Sequence, residues 1–124
     1  MDPIANMLVS IKNGYMAKKL QVNVPYSRFN LSLAQVLEKE KFIGKVQKAD
    51  NQIEIELIYP NQKPRLTQVK RISKPGLRVY TKSKNIKSVK GGKGIYVVST
   101  PQGLMSGHDA RSKKLGGEII CQLW

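Results

Sequence analysis

The sequence predicts an α/β fold of the α+β type, with two small subdomains that share a core. Two segments of the first half repeat apolar residues every three to four positions, which is the spacing of one helix face. Other short segments alternate apolar and polar residues, as half-buried strands do. Glycine and proline clusters divide the second half into several short elements. The 124 residues, 40% of them hydrophobic, are enough to bury a modest core without disulfides or metals.

The first predicted element is a helix at the N-terminus. Asp2 has the side-chain oxygen of an N-cap, and Pro3 suits the first helical position because its missing N–H needs no partner there. Apolar residues recur on one face from Ile4 to Ile11, and Gly14 is predicted to end the helix.

A short strand and a second helix are predicted next. Residues 22–24 alternate apolar and polar side chains until Pro25 ends the strand. Ser27 is the predicted N-cap of the helix, because its hydroxyl can accept a bond from a free backbone N–H of the first turn. The buried face of this helix extends over residues 29–37.

A β-hairpin completes the first half, because residues 42–47 and 53–59 alternate around a turn at 49–52. Residues 60–64, Pro-Asn-Gln-Lys-Pro, have the composition of a turn or linker. The predicted domains are an N-terminal subdomain of order helix–strand–helix–strand–strand at 1–62 and a β-rich subdomain at 63–124.

The second half is predicted to be mostly β, with one short helix. Its strands are placed at 66–72, 77–81, 95–100 and 118–124, with a turn at 74–76 and a glycine-rich kink at 91–94. A loop follows the third strand, and a helix then extends from about Ser106 to Leu115. Asp109 stands at capping-box-like spacing from Ser106.

The charge is strongly unbalanced, with 22 Lys+Arg against 8 Asp+Glu and a net charge of +14. From Leu57 to His108 the sequence contains no acidic residue. Self-repulsion at this charge opposes compaction, which indicates a polyanionic partner, nucleic acid ahead of an anionic membrane surface. The apolar runs are far shorter than the ~20 residues of a membrane-spanning helix, so no membrane partner is expected.

Few side chains are suited to catalysis or metal binding. His108 is the only histidine and Cys121 the only cysteine, which excludes a histidine pair and a thiolate cluster. Cys121 is predicted to be a buried, inert thiol because it follows two isoleucines in the last strand. The glycines at 91–94 lack the spacing of a P-loop. We therefore expect no enzyme activity, metal or cofactor, and the lone cysteine favours a reduced, intracellular compartment.

Two groups of residues favour RNA as the polyanion. Ser99, Thr100 and Gly103 fall in one predicted loop, where hydroxyl groups and a glycine allow close approach to a sugar or base. Tyr80 lies between basic residues, an interleaving typical of a strand that faces RNA, with a core position as the alternative. The basic residues expected to contact phosphate are Arg78, Lys82, Lys84, Lys87 and Lys93.

Three blocks of the sequence resemble the bacterial-type ribosomal protein S8 family of the small subunit. They are DPIANMLVSIKNG at the start, KRISKPGLRVY at 70–80 and GIYVVSTPQGLMSGHDARSKKLGGEIICQLW at the end. The resemblance implies an α/β fold of two closely packed subdomains and direct binding to the central domain of small-subunit ribosomal RNA during assembly. It implies neighbouring small-subunit ribosomal proteins as further partners. It also implies a second role as translational repressor, with the message of the protein's own operon as partner.

The resemblance also assigns site residues position by position. The family's hydroxyl-rich loop reads S-T-S before a spacer and a glycine. Ser99 and Thr100 retain this pattern and are the expected base and sugar contacts, whereas Pro101 replaces the last serine and removes a hydroxyl and an N–H. Glu118, of the family's GGE, is expected to bond to a base or to the loop, and Lys93 adds charge where the family has an apolar residue. In the first half, positions that the family uses near RNA are matched by Asp2, Pro3, Ser27 and Arg28.

Three functions are open at this point: a structural component of the small subunit, a regulatory RNA binder, and a nuclease that would depend on Glu118 or His108. The first is the predicted function, in cytoplasmic ribosomes, with the ribosome of an organelle such as a plastid as an alternative location.

Overall fold

The computed structural model describes residues 3–87 and 93–124. The chain divides into two compact units, Met1–Thr67 and Gln68–Trp124, which we call unit 1 and unit 2. The sequence prediction placed the boundary after residue 62, at the proline-rich turn. The predicted Asp2 cap and the glycines at 91 and 92 lie outside the described residues.

Unit 1 has the predicted order of helices and strands. Its elements are α1 (Pro3–Met16), β1 (Gln21–Pro25), α2 (Arg28–Lys39), β2 (Val46–Ala49) and β3 (Gln52–Glu56), followed by a 3-10 turn at Pro60–Gln62. β3 is the central strand of an antiparallel sheet of order β1-β3-β2. Apolar side chains of both helices and of β3 are buried, as Ile11, Leu33 and Ile53 show.

Gly14 does not end α1, and the prediction of a stop there is wrong. The helix continues to Met16, and Lys18 reverses the chain with a positive φ of 57°. The N–H groups of Lys18 and Lys19 then bond to the carbonyls of Tyr15 and Gly14, at 3.1 and 2.9 Å. Glycine is needed at position 14 for packing, because a Cβ there would lie 2.9 Å from Leu57 Cδ1 and collide with Val22.

The second helix and the hairpin of unit 1 are confirmed. Ser27 caps α2, since its hydroxyl accepts a hydrogen bond from the Asn30 N–H at 3.0 Å. The hairpin strands are shorter than predicted, because the chain joins the sheet only at Val46. Phe42 and Ile43, expected in the strand, are instead buried in the connection before it.

Unit 2 is built on one antiparallel sheet and a short helix. Its elements are β4 (Val69–Arg71), β5 (Tyr80–Thr81), a 3-10 turn at Ser83–Asn85, β6 (Ile95–Thr100), β7 (Gly103–Ser106), α3 (Gly107–Ser112) and β8 (Gly117–Leu123). The strand order is β4-β8-β6-β7, and β5 also pairs with β8. The prediction of strand 95–100 is confirmed.

The segment after β6 differs from the prediction. The expected loop at 101–105 is a tight hairpin, in which Pro101 and Gln102 form the turn and residues 103–106 form β7. Four residues are too few for their alternation to predict a strand. The helix is confirmed but shorter than predicted, and Ser106 caps it by accepting a bond from the Asp109 N–H at 3.1 Å. The predicted strands 66–72 and 77–81 are likewise reduced to β4 and β5.

The core of unit 2 lies on both sides of its central strands. One buried cluster contains Ile86, Val98, Met105 and Ala110. Cys121 of β8 is fully buried, as predicted, and burial raises the pKa of its thiol to about 12, with Arg71 acting in the opposite direction.

We expect Cys121 to be unreactive while the protein is folded. At pH 8 a thiol reagent should modify the folded chain about 1,000-fold more slowly than the urea-unfolded chain, because only the thiolate reacts and its fraction falls with the raised pKa. The contribution of the neutral thiol to the free energy of unfolding is complete below about pH 8.5, the pKa of an unfolded cysteine. It is lost as the pH rises towards the raised pKa of the folded protein. Labelling rates followed with and without urea test this, and equal rates would contradict the burial.

Candidate nucleic-acid interface

Cross-strand pairing brings four residues into one row on one face of the unit 2 sheet. Tyr80 of β5 and Ser99 of β6 are both register partners of Glu118 on β8, and Ser99 is also the partner of Leu104 on β7. Residues directly opposite each other in antiparallel strands point to the same face. We call Tyr80, Glu118, Ser99 and Leu104 the cross-sheet row.

The two glycines before Glu118 allow three chain segments to approach one another closely. A Cβ at Gly116 would lie 2.5 Å from the Thr81 carbonyl oxygen and 3.1 Å from Lys82 Cα. A Cβ at Gly117 would lie 2.9 Å from the Ser99 carbonyl carbon and would overlap its oxygen. Any side chain here would separate the strands. The glycines therefore keep the basic end of β5 close to the hydroxyl-bearing end of β6.

Thr100 and Ser99 have different tasks. The Thr100 hydroxyl donates to the Gly103 carbonyl at 2.8 Å and accepts from the Gln102 N–H at 3.1 Å, so it closes the turn. Pro101 stands at the second position of this turn, which its fixed φ suits, and Gly103 adopts φ 110°. In the described part of the chain, the half-buried Ser99 hydroxyl has no partner.

Glu118 is bound to protein groups within unit 2. Its carboxylate accepts a short hydrogen bond from the Ser73 hydroxyl. It also forms an ion pair with Arg78, whose Nη1 lies 3.1 Å from Glu118 Oε2. The Ser73 hydroxyl in turn accepts from the Val79 N–H at 3.2 Å. From the sequence we expected Glu118 to bond to the 99–103 loop or to a base. Among the described residues, its protein partners are Ser73 and Arg78 and not the loop. The carboxylate thereby anchors the segment that leads into β5.

Removing this anchor should weaken unit 2. We expect Glu118→Ala to lower the free energy of unfolding by about 1–2 kcal/mol, because the fully buried Ser73 hydroxyl loses its acceptor. The partly exposed pair with Arg78 adds little to this. Glu118→Gln is the matched control, since its amide oxygen still accepts and most of the stability should return. Urea unfolding measures both, and an Ala variant as stable as the unmodified protein would contradict the anchoring role.

Tyr80 is 70% exposed, so the alternative of a core tyrosine is wrong. It stands between Arg78 and Lys82, which are also exposed. Lys84 is exposed in the 3-10 turn that follows β5. Lys87 and Lys93 are exposed on either side of residues 88–92.

The described site residues that the sequence predicted fall in both units. Arg78, Tyr80, Lys82, Ser99, Thr100, Gly103 and Glu118 lie in and around the sheet of unit 2, with Lys84 in the adjoining turn. Ser27 and Arg28 belong to unit 1, where the Ser27 hydroxyl is used as a helix cap and Arg28 is exposed. Pro3 begins α1.

Sequence reasoning missed Ser73 and Leu104. Ser73 acts through Glu118, 45 positions away, and the segment Arg-Ile-Ser-Lys-Pro contains no local sign of that partner. Leu104 joins the row only through β7, which was predicted to be a loop.

No described helix is long and apolar enough to cross a bilayer. The described His, Cys, Asp and Glu residues form no group of three placed to hold a metal.

Comparisons with known proteins agree on one family. The family model described as Ribosomal protein S8 matches residues 2–124. The small ribosomal subunit protein uS8 of Roseiflexus castenholzii is 46% identical over 128 residues, covering 99% of this chain and 97% of that protein. The uS8 protein of Desulfovibrio desulfuricans is 45% identical over 123 residues, with 99% and 98% covered. That of Chloroflexus aggregans is 40% identical, with 99% and 97% covered.

Proposed function

The chain belongs to the ribosomal protein S8 family, and from this premise we propose that it binds small-subunit ribosomal RNA directly through the cross-sheet row of unit 2. The observation that carries the proposal is the placement of an exposed aromatic ring and a hydroxyl on one face, next to basic side chains. Its role is structural rather than catalytic, in keeping with relatives that are named as small ribosomal subunit proteins.

Each residue of the site has a physical role in this proposal. Tyr80 offers a flat face for an unpaired base to stack on. The Ser99 hydroxyl can donate to or accept from a base edge or a ribose 2′-hydroxyl. Arg78 is held by its ion pair with Glu118, the register partner of Tyr80, so its remaining N–H groups can reach a phosphate with little loss of freedom. Thr100 and Gly103 act by forming the turn that presents Ser99.

The basic residues around the row supply affinity without sequence information. Lys82, Lys84, Lys87 and Lys93 would neutralise phosphates and release counterions. Arg28 would form a separate phosphate contact in unit 1, near the α2 N-terminus that Ser27 caps, and Asp2 and Pro3 would lie near RNA at the start of α1.

The RNA partner is the central domain of small-subunit ribosomal RNA, bound during assembly in cytoplasmic ribosomes or in those of an organelle. Neighbouring small-subunit proteins are further partners. The cross-sheet row lies within one compact unit, so an operon message that presents the same RNA features would be bound by the same residues. Repression of that message is the second function proposed.

A pair of variants separates specific from general RNA binding. Ser99→Ala should reduce the preference for a central-domain fragment over an unrelated duplex by about 1 kcal/mol, because one hydrogen bond is lost. Lys84→Ala should weaken both RNAs alike and reduce the steepness of the salt dependence by about one unit. Titrations of both RNAs at several salt concentrations measure these effects. Equal binding of the two RNAs by the unmodified protein at physiological salt would overturn the proposal.

A further inference from the structure

Unit 1 has an apolar groove at the end of α1. It has a volume of about 380 Å³, and its lining includes Tyr15, Met16, Lys18, Leu20, Tyr59 and Pro64. Met16 is 72% exposed and Leu20 is 78% exposed. Large apolar side chains exposed side by side are typical of a protein interaction site.

Hydrogen bonds and ring packing hold the groove in shape. Lys18, at φ 57°, reverses the chain after α1 and fixes the position of Leu20 relative to Met16. The Tyr59 hydroxyl donates to the Lys19 carbonyl at 2.5 Å, and the rings of Tyr15 and Tyr59 meet edge to face with centroids 5.3 Å apart. A partner would therefore bind a surface that is already ordered, which reduces the entropy cost of association.

The charge around the groove indicates which charge its partner carries. The two segments that form it, 15–20 and 59–64, contain no acidic residue. Glu54 and Glu56 line a neighbouring cleft that shares only Leu20 with the groove. Lys18, Lys19 and Lys63 are exposed on or beside it. An apolar centre with a basic rim is complementary to an apolar side chain flanked by carboxylates.

RNA and a second copy of the chain fit this surface less well. The Tyr15 hydroxyl donates to the Phe42 carbonyl at 2.7 Å and accepts from the Ile58 N–H at 3.2 Å, so both groove tyrosines already use their hydroxyls within unit 1. The most exposed apolar side chains of the groove, Met16 and Leu20, offer a nucleotide neither a stacking face nor hydrogen bonds, and Tyr15 is buried. A second copy would bring the same basic rim and its own net charge of +14.

We propose that the groove binds a segment of a neighbouring small-subunit protein that presents a large aliphatic or aromatic side chain between acidic residues. This rests on the proposed place of the protein in the small subunit, but not on its proposed RNA contacts, none of which lines the groove. Met16 and Leu20 are the apolar contacts, and Lys18 pairs with the acidic flank.

Photo-crosslinking in assembled small subunits tests the proposal. A benzophenone amino acid replaces Leu20 in one variant and Val9 in the control, because Val9 is exposed on the same unit but does not line the groove. The Leu20 position should give one discrete cross-link to a ribosomal protein, at a peptide that contains acidic residues. Cross-links to RNA, to a second copy, or in the same pattern as the Val9 control would each overturn the proposal.

A charge reversal tests the acidic flank. Lys18→Glu should lower the yield of that cross-link about tenfold, equivalent to about 1.4 kcal/mol, whereas Lys18→Arg should retain it. Both variants should bind the central-domain RNA fragment as the unmodified protein does. An unchanged yield in Lys18→Glu would contradict the charge assignment. Failure of the unmodified protein to prefer the fragment would instead count against the proposed RNA function.

Discussion

Replacing Gly117 with alanine is expected to lower the free energy of unfolding by about 3 kcal/mol. The new Cβ would lie 2.9 Å from the Ser99 carbonyl carbon and 3.2 Å from Thr100 Cα, and closer still to the Ser99 carbonyl oxygen. These are backbone atoms of the adjacent strand, which cannot rotate away as a flexible side chain can. Because β8 is a central strand that pairs with β4, β5 and β6, relief of the clash would disturb the whole sheet.

A second glycine provides the control for this effect. Gly76 has φ 82°, and a Cβ there would meet nothing within 4 Å. Gly76→Asn should therefore stay within about 1 kcal/mol of the unmodified protein, because asparagine tolerates positive φ. Urea unfolding compares the two variants. A Gly117→Ala variant no less stable than Gly76→Asn would contradict the close approach of β8 and β6.

Replacing Tyr80 with alanine is expected to weaken binding of the central-domain RNA fragment by about 1–3 kcal/mol, roughly 5- to 150-fold. The loss comes from base stacking, which needs the aromatic face. Because most of the ring is exposed, the free energy of unfolding should change by less than about 0.5 kcal/mol. The variant thus separates RNA recognition from folding, which Gly117→Ala does not.

Two matched variants show whether the ring itself is responsible. Tyr80→Phe keeps the stacking face and should retain nearly all the affinity. Leu77→Ala removes another exposed apolar side chain from the same segment, 64% exposed, and should have little effect. Titration of the RNA fragment measures all three. Equal losses in the Ala and Phe variants at position 80 would point to the hydroxyl, and no loss in either would remove Tyr80 from the site.

The sequence predicted best the elements whose signals are local. The cap at Ser27, the hairpin of unit 1 and the strand at 95–100 follow from patterns that residues within a few positions of one another create. The same holds for the buried Cys121, which follows two isoleucines.

Predictions failed where distant residues decide the structure. Gly14 was predicted to end the helix, but α1 continues past it. The space at position 14 is limited by the side chains of Val22 and Leu57, which a Cβ would contact too closely. The Glu118 carboxylate is held by Ser73 and Arg78, at sequence separations of 45 and 40. The hairpin at Pro101 and Gln102 depends on β7 pairing with β6, and its four residues carry too little pattern to predict.

The sequence predicted which residues belong to the candidate site but not how they are arranged in space. Ser99, Tyr80 and Glu118 were each chosen for their chemistry or through the family resemblance. That they form one row across three strands follows only from the strand register. Thr100 was predicted, with Ser99, to contact RNA, and the strand register does not reveal that its hydroxyl also closes the turn beside Ser99.

Chemical footprinting of purified protein on full-length small-subunit ribosomal RNA tests the RNA-binding proposal most directly. The cross-sheet row predicts one compact protected region in the central domain at physiological salt. It also predicts that Tyr80→Ala or Ser99→Ala weakens this protection while Tyr80→Phe keeps it. Protection spread over many helices, or a central-domain footprint that both Ala variants leave unchanged, would contradict the assignment of RNA recognition to this face.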